Sequence, residues 1–186
     1  MPYKHQIEVA HAVSDLRREG YAVRAKFLGG DWGRYGSEFR ETMQQLDPAG
    51  EYLFWPGGVP YNSLHQEYGS ADAFVFASSC ENLPNILIEA MAAGLPIACS
   101  DRGPMPEVLG DAGVYFDPDR STSIAQALRR LVDNVGLREQ MAVSAWRKSQ
   151  DYSWEYCARE TFAYVAAIAL QGKKARAGEE MGKHVQ

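Results

Sequence analysis

Between Phe74 and Met91 the chain passes through three kinds of sequence in quick succession. Phe74-Val75-Phe76-Ala77 is a short apolar run with strand character, and Ser78 to Leu83 is a mostly polar loop. Pro84 then opens a helical pattern that Gly94 closes. Proline has no N–H to lose in a first helical turn, and glycine tolerates the left-handed residue that ends many helices. A strand that feeds straight into a helix brings the next strand back parallel, which restricts the chain to layered α/β architectures.

The alternation extends to both sides. Strands are expected at 22–28, 52–55, 73–77, 96–99 and 114–116. Val9, Val13 and Leu16 recur at helical spacing before a stop at Gly20, and further helices are expected at 37–45, 64–68 and 84–93. Residues 106–109 read as helix or turn. Ile124, Leu128 and Leu131 mark the next helix, and Leu137 and Met141 the one after it. Trp154, Ala158, Thr161, Val165 and Ile168 mark a last helix. The expected fold is α/β, a Rossmann-like parallel sheet flanked by helices, in one domain over 1–171. From Gly172 the residues are small or charged, and 172–186 reads as a flexible tail. One strand is missing from this scheme. Met1-Pro2-Tyr3 is too short for a central strand, and Pro2 removes a ladder donor. The chain therefore reads as a piece of a longer protein, or else as a domain that manages without that strand.

Ligands of parallel α/β sheets bind beyond the carboxyl ends of the strands. The turn at Gly29-Gly30-Asp31-Trp32-Gly33, the turn at Gly57 and the loop at Glu81 all follow expected strands. A helix N-terminus presents unpaired N–H groups and a partial positive charge, which favour phosphate. Glu81 precedes the helix at 84–93 and Glu89 lies two turns inside it, so a carboxylate stands on each side of that anion site. The alternative reading of each is a solvated acid at or near a helix start. A carboxylate has two acceptor oxygens and suits vicinal hydroxyls.

Other chemistries find less support. Acidic side chains outnumber basic ones, 24 to 19, and no basic run marks a general nucleic-acid binder. No G-x-G-x-x-G is present for a dinucleotide cofactor. The four histidines have no metal-ligand spacing. Cys80, Cys99 and Cys157 lack paired spacing and read as reduced thiols, consistent with a cytoplasmic location. Cys80 is either a reactive thiol beside Glu81 or a small residue at a strand end. No apolar run is long enough for a membrane span, and no signal peptide opens the sequence.

The residues now in hand resemble the C-terminal, donor-binding half of a family 4 retaining glycosyltransferase, one half of a GT-B fold (the bacterial-type group 1 enzymes). The resemblance covers roughly Tyr3 to Ile168. It rests on Tyr3-Lys4-His5-Gln6, Phe27-Leu28-Gly29-Gly30, Trp55-Pro56-Gly57-Gly58-Val59, the E-x7-E stretch from Glu81 to Pro96, and Ser100 to Val108. It implies that Glu81 contacts hydroxyls of the donor sugar and that the N–H groups of Asn82 and Leu83, beside Pro84, face sugar and diphosphate. It implies that Glu89 accepts from ribose hydroxyls and that Gly57, Gly58 and Val59 border the nucleobase, with Gly29 on the same rim. Lys4 takes the diphosphate role, so Glu81 and Lys4 are the expected catalytic pair.

The arginine that accompanies the lysine in the family is not among Met1-Pro2-Tyr3, and Arg102 is a candidate replacement. The implied donor is a nucleoside-diphosphate sugar, with no other cofactor and no metal. The implied partner is an N-terminal acceptor-binding domain, and peripheral membrane association of the full enzyme stays open because many relatives use lipid-linked acceptors. Two alternatives stand beside transfer with retention: a non-catalytic nucleotide-sugar-binding module, and a sugar-nucleotide epimerase on the same fold.

Overall fold

The computed structural model describes residues 1–31 and 33–183, with side chains as far as residue 171. Trp32 in the first glycine-rich turn and the last three residues, His184 among them, lie outside the described residues. A 3-10 turn over Pro2–Lys4 leads into α1 (Gln6–Arg18), and β1 (Ala25–Leu28), α2 (Gly33–Leu46) and β2 (Leu53–Gly57) follow. Then come α3 (Leu64–Gly69), β3 (Phe74–Phe76), α4 (Asn85–Ala92), β4 (Ile97–Ser100), α5 (Met105–Leu109) and β5 (Val114–Phe116). Three helices close the chain, α6 (Ser121–Asp133), α7 (Val135–Ser149) and α8 (Trp154–Lys183). The order of strands and helices is the expected one, with β1 and β3 shorter than expected, β2 and α2 longer, and β4 shifted by one residue.

All strand pairs are parallel, but the sheet comes in two parts, β1-β2 and β3-β4-β5. In the first, Ala25 faces Leu53 and Leu28 faces Gly57, with a register shift between Lys26 and Leu28. In the second, Val75 faces Ala98, and Ala98 faces Val114. No strand precedes α1, and β1 and β3 share no ladder.

Alternation along the strands sorts the core into two layers. One layer joins both parts of the sheet. Val9, Val13 and Leu16 of α1, Phe39 of α2 and Ile124, Leu128 and Leu131 of α6 pack there against Leu53, Ala98, Val114 and Phe116. Phe27 and Val75 add to it, and Phe27 meets Phe39 edge-on at 4.9 Å. The other layer covers β4 with buried Leu87 and Met91 of α4, Met105 and Leu109 of α5, and Met141 and Ala145 of α7. β4 is therefore buried at every residue, while β1 is half exposed in alternation.

Contacts divide the chain into a first unit, Met1–Ser149, and a second, Gln150–Gln186. The second unit contains α8, which continues unbroken through Gly172 to Lys183, so the stretch expected as a tail is helical for most of its length.

Candidate functional site

Pro84 stands one residue earlier relative to the helix than its sequence position suggests. It is the N-cap of α4, with φ −79° and ψ 74°, and it is fully buried. Its carbonyl accepts from the N–H groups of Leu87 (2.9 Å) and Ile88 (3.1 Å), and Asn85 N–H turns back to the Leu83 carbonyl at 2.9 Å. Asn82 and Leu83 are exposed, and no hydrogen bond among the described residues uses their N–H groups. The donors still open to an incoming anion therefore lie just ahead of Pro84.

Glu81 is not a free acid on this rim. Its Oε1 takes a 2.5 Å contact from Lys4 Nζ, across 77 positions of sequence, and both side chains are largely shielded from water, at 18% and 27% exposure. The ammonium also lies 5.7 Å from the ring centre of Phe76 and 5.4 Å from that of Tyr3. Backbone joins the same two segments, since Ser79 N–H donates to the Tyr3 carbonyl at 2.8 Å. The N-terminal turn thus docks beside the loop between β3 and α4, and the expected catalytic pair is assembled.

Glu89 has a different partner. Tyr68, on α3, donates its hydroxyl to Glu89 Oε2 at 2.9 Å. Burial and the adjacent Glu89 carboxylate push the Tyr68 phenol well above its ordinary pKa, which keeps it a neutral donor. Its ring packs on Phe74 at 5.9 Å, and Phe74 stacks along the strand on Phe76 at 6.3 Å. A continuous path of contacts therefore runs from Glu89 through Tyr68, Phe74, Phe76 and Lys4 to Glu81. The period of two along β3 puts both phenylalanines on one face, and that face carries the groups at its two ends.

The expected nucleobase border lies at the ends of the other two strands. Gly29 N–H donates to the Gly57 carbonyl at 3.0 Å, and Trp55 Nε1–H donates to the Gly29 carbonyl at 2.9 Å. Gly57 has φ 93°, a conformation that suits glycine, and a methyl group added there or at Gly58 meets nothing within 4 Å. Val59 continues the loop, partly buried. Among the described residues no hydrogen bond joins this glycine cluster to Glu81 or Glu89. Lys26 of β1 does pair with Glu67 of α3, the residue next to Tyr68, and so links the β1 side to the helix that holds Glu89.

Arg102 does not stand free to replace the absent arginine. Its guanidinium pairs with Asp117 (2.8 Å), Asp119 and Asp101 (3.4 Å each), and Asp101 and Asp117 hold its pKa above the usual value. Two open cavities lie away from the candidate residues. One of about 300 Å³ is lined by α2 and the start of β2, and one of about 450 Å³ lies between α1 and α6. The candidate site is an open rim. Cys80 is exposed on it, while burial pushes the Cys99 thiol well up and makes it unreactive. Among the described residues no cluster of three or more acidic, histidine or cysteine side chains gathers as a metal site.

Three residues at the site escaped sequence reasoning: Tyr68, Ser79, and His5 in any role beyond its place in the lysine-bearing stretch. Their partners lie far away in sequence, and no spacing rule points to them.

The chain is 32% identical over 110 residues to the O-antigen chain mannosyltransferase B of Escherichia coli, which covers 59% of this chain and 29% of that protein. It is 28% identical over 175 residues to a sulfoquinovosyl transferase of Arabidopsis thaliana, covering 90% of this chain and 32% of that one. The chain therefore spans about a third of the length of these curated relatives. Among solved structures, an Anabaena protein crystallised with UDP and glucose superposes with TM-score 0.80 at 18% identity, over 90% of this chain and 46% of that chain. The C-terminal domain of a group 1 family glycosyl transferase from Francisella tularensis gives 0.72 at 22% identity, over 81% of this chain and 80% of that domain. At these identities the structural likeness establishes the fold alone, one half of a GT-B fold. The family model described as "Glycosyl transferases group 1" matches residues 1–147, most of the chain, and the protein belongs to that family.

Proposed function

We propose that this chain is the donor-binding domain of a glycosyltransferase that moves a sugar from a nucleoside-diphosphate sugar to an acceptor with retention. The observation that carries this is the contact between Lys4 and Glu81 beside the open N–H groups of Asn82 and Leu83. It sets a cation, backbone donors and a helix N-terminus around one point, where a diphosphate would lie.

In this proposal the diphosphate draws the Lys4 ammonium from Glu81, and the sugar hydroxyls replace it on the carboxylate. Negative charge grows on the diphosphate as it leaves, and Lys4 together with the helix N-terminus offsets it. Glu89 accepts from the ribose hydroxyls with the oxygen that Tyr68 leaves open. Gly57, Gly58 and Val59 leave room beside the base, with Gly29 at the same edge. The donor sugar is the substrate, and the proposal includes no separate cofactor or metal. The acceptor and the residues that bind it belong to an N-terminal partner domain, and the proposed setting is the cytoplasm. No described helix is long and apolar enough to cross a membrane.

Calorimetric titration with UDP, GDP and ADP tests the site, with UDP first because a structural neighbour carries it. The expected result is binding of at least one of them. Glu89→Ala should then weaken the nucleoside diphosphate about tenfold, the scale of one charge-assisted hydrogen bond. Glu81→Ala should weaken only the sugar-bearing form. A folded chain that binds none of the three at millimolar concentration defeats the proposal, and equal losses of UDP affinity in both variants defeat the division of roles.

A further inference from the structure

Among the described residues His5 is the one non-glycine residue with positive φ, at φ 50° and ψ 33°. An L-residue is strained in that region, and such outliers are kept where the surroundings enforce them. Here they do. His5 ends the 3-10 turn and caps α1: its N–H closes on the Pro2 carbonyl at 3.0 Å, and its carbonyl accepts from Val9 N–H at 3.1 Å. The side chain is 11% exposed, with Nε2 2.9 Å from Ser79 Oγ. Ser79 Oγ also lies 3.4 Å from the Tyr3 carbonyl. The other ring nitrogen, Nδ1, faces Glu8 of α1 at 3.7 Å and Asp119 at 3.8 Å.

The positions of these two residues matter. His5 follows Lys4, and Ser79 stands two residues before Glu81. The same two segments therefore carry two side-chain cross-links, the inner one His5–Ser79 and the outer one Lys4–Glu81. The outer link is the one that donor binding would dissolve, because the diphosphate takes the lysine and the sugar takes the glutamate.

We propose that His5 and Ser79 are positioning residues of the donor site, holding the N-terminal turn against the loop between β3 and α4 while Lys4 leaves Glu81 for the diphosphate. This rests on the assignment of Lys4 and Glu81 given above. Without the inner link, ligand binding would leave the turn held to this loop by the Ser79–Tyr3 backbone bond and no side-chain link just as Lys4 is needed, and the ligand's affinity would bear the entropy of ordering a looser turn.

The experiment uses the full chain, UDP as probe, calorimetry for affinity, thermal unfolding for stability and hydrogen exchange at the Ser79 amide. His5→Gly removes the ring while suiting the backbone, and Ser79→Ala removes the hydroxyl. Each variant is expected to unfold within a few degrees of the parent, with His5→Gly at or above it. Each should weaken UDP about three- to tenfold, the scale of one net hydrogen bond. The double variant should be no weaker than the worse single one, since both remove the same link. The Ser79 amide should exchange faster in both.

A residue that serves stability alone would lower the unfolding midpoint and leave UDP affinity unchanged. Parental UDP affinity in either variant, or losses that simply add in the double variant, overturns the proposal. If the parent itself binds no UDP, GDP or ADP, the donor-site assignment falls and the positioning role falls with it. Exchange at Ser79 then still reports whether His5 holds the turn. If the parent binds and His5→Gly binds equally, the positioning role alone falls.

Discussion

The two parts of the sheet are built from similar residues and held by different forces. β4 lies between two layers of helix, and Ile97, Ala98 and Cys99 are each 0% exposed. β1 and β2 are covered on the face that meets α1 and α2, while Leu28 and Phe54 remain 37% exposed on the other. Apolar burial on both sides anchors the three-stranded part. The two-stranded part depends more on local polar bonds, above all those of Asp47, which lies between α2 and β2. One Asp47 oxygen accepts Glu51 N–H at 3.0 Å, and the other accepts Tyr52 N–H at 2.7 Å and Leu53 N–H at 2.8 Å. The division matches the proposed chemistry. Glu81 and Glu89, which need fixed positions, hang from the stiff part, and the glycines at 29, 57 and 58 edge the looser one.

The sharpest way to break this comparison is to truncate one apolar side chain in each part. Ile97→Ala should cost about 2–5 kcal/mol by urea unfolding, since nothing else fills its place in a doubly covered strand. Phe54→Ala, at a position about one third exposed, should cost less, about 1–2 kcal/mol, because part of that residue is already in water. Equal costs would show that the two parts are anchored alike.

A smaller effect, with a pH signature, is expected from Asp47. Burial by itself would raise the pKa of its carboxyl. The N–H groups of Tyr52, Glu51 and Leu53 outweigh burial and hold it below the usual carboxylate range. A folded-state pKa below the unfolded one means that the stabilisation is complete above the unfolded value of about 3.9 and is lost as pH falls through the lower folded value. Asp47→Ala should cost on the order of 1–3 kcal/mol at neutral pH, because three backbone donors lose their acceptor. The gap between variant and parent should shrink as the solution is acidified below about pH 4. Hydrogen exchange over the same range should show Leu53 losing protection before Ala98. A gap that stays constant with pH, or Ala98 opening first, would remove the polar account of the two-stranded part.

The same contrast decides what could be read from the sequence. Every strand and every helix but α5, which stayed open between helix and turn, was legible in order, because period-two and period-3.6 patterns report which faces are apolar, and Pro84, Gly20 and Gly94 punctuate them. The pair Glu81 and Glu89 was legible as flanking a helix start. The break between β1 and β3 was not, since strand pairing is a non-local property that no single run encodes. Nor was the partner of either carboxylate: Lys4 is 77 residues from Glu81, and Tyr68 is 21 residues from Glu89. His5 looks like an ordinary histidine until its φ is known. The stretch from Gly172 was read as a tail because it has little to bury, but Lys, Ala, Arg and Glu are strong helix formers and α8 carries on through them. Composition spoke to packing there and said little about backbone.

The smallest expected effect is at the link between the two parts. Lys26 of β1 pairs with Glu67 of α3, and the lysine is about half exposed, at 48%. Such a pair contributes about 0.2–1 kcal/mol and weakens with salt. Lys26→Ala should therefore lower stability by no more than that at low ionic strength, and by less in 0.5 M salt. Its value lies in where the change appears. Glu67 adjoins Tyr68, so if the pair holds α3 in place, Lys26→Ala should weaken UDP slightly, by about twofold or less, and leave the exchange of Ala98 untouched. A loss of protection at Ala98 would mean that the stiff part depends on the looser one, and the separation of an anchored part from a polar-held part would have to be abandoned.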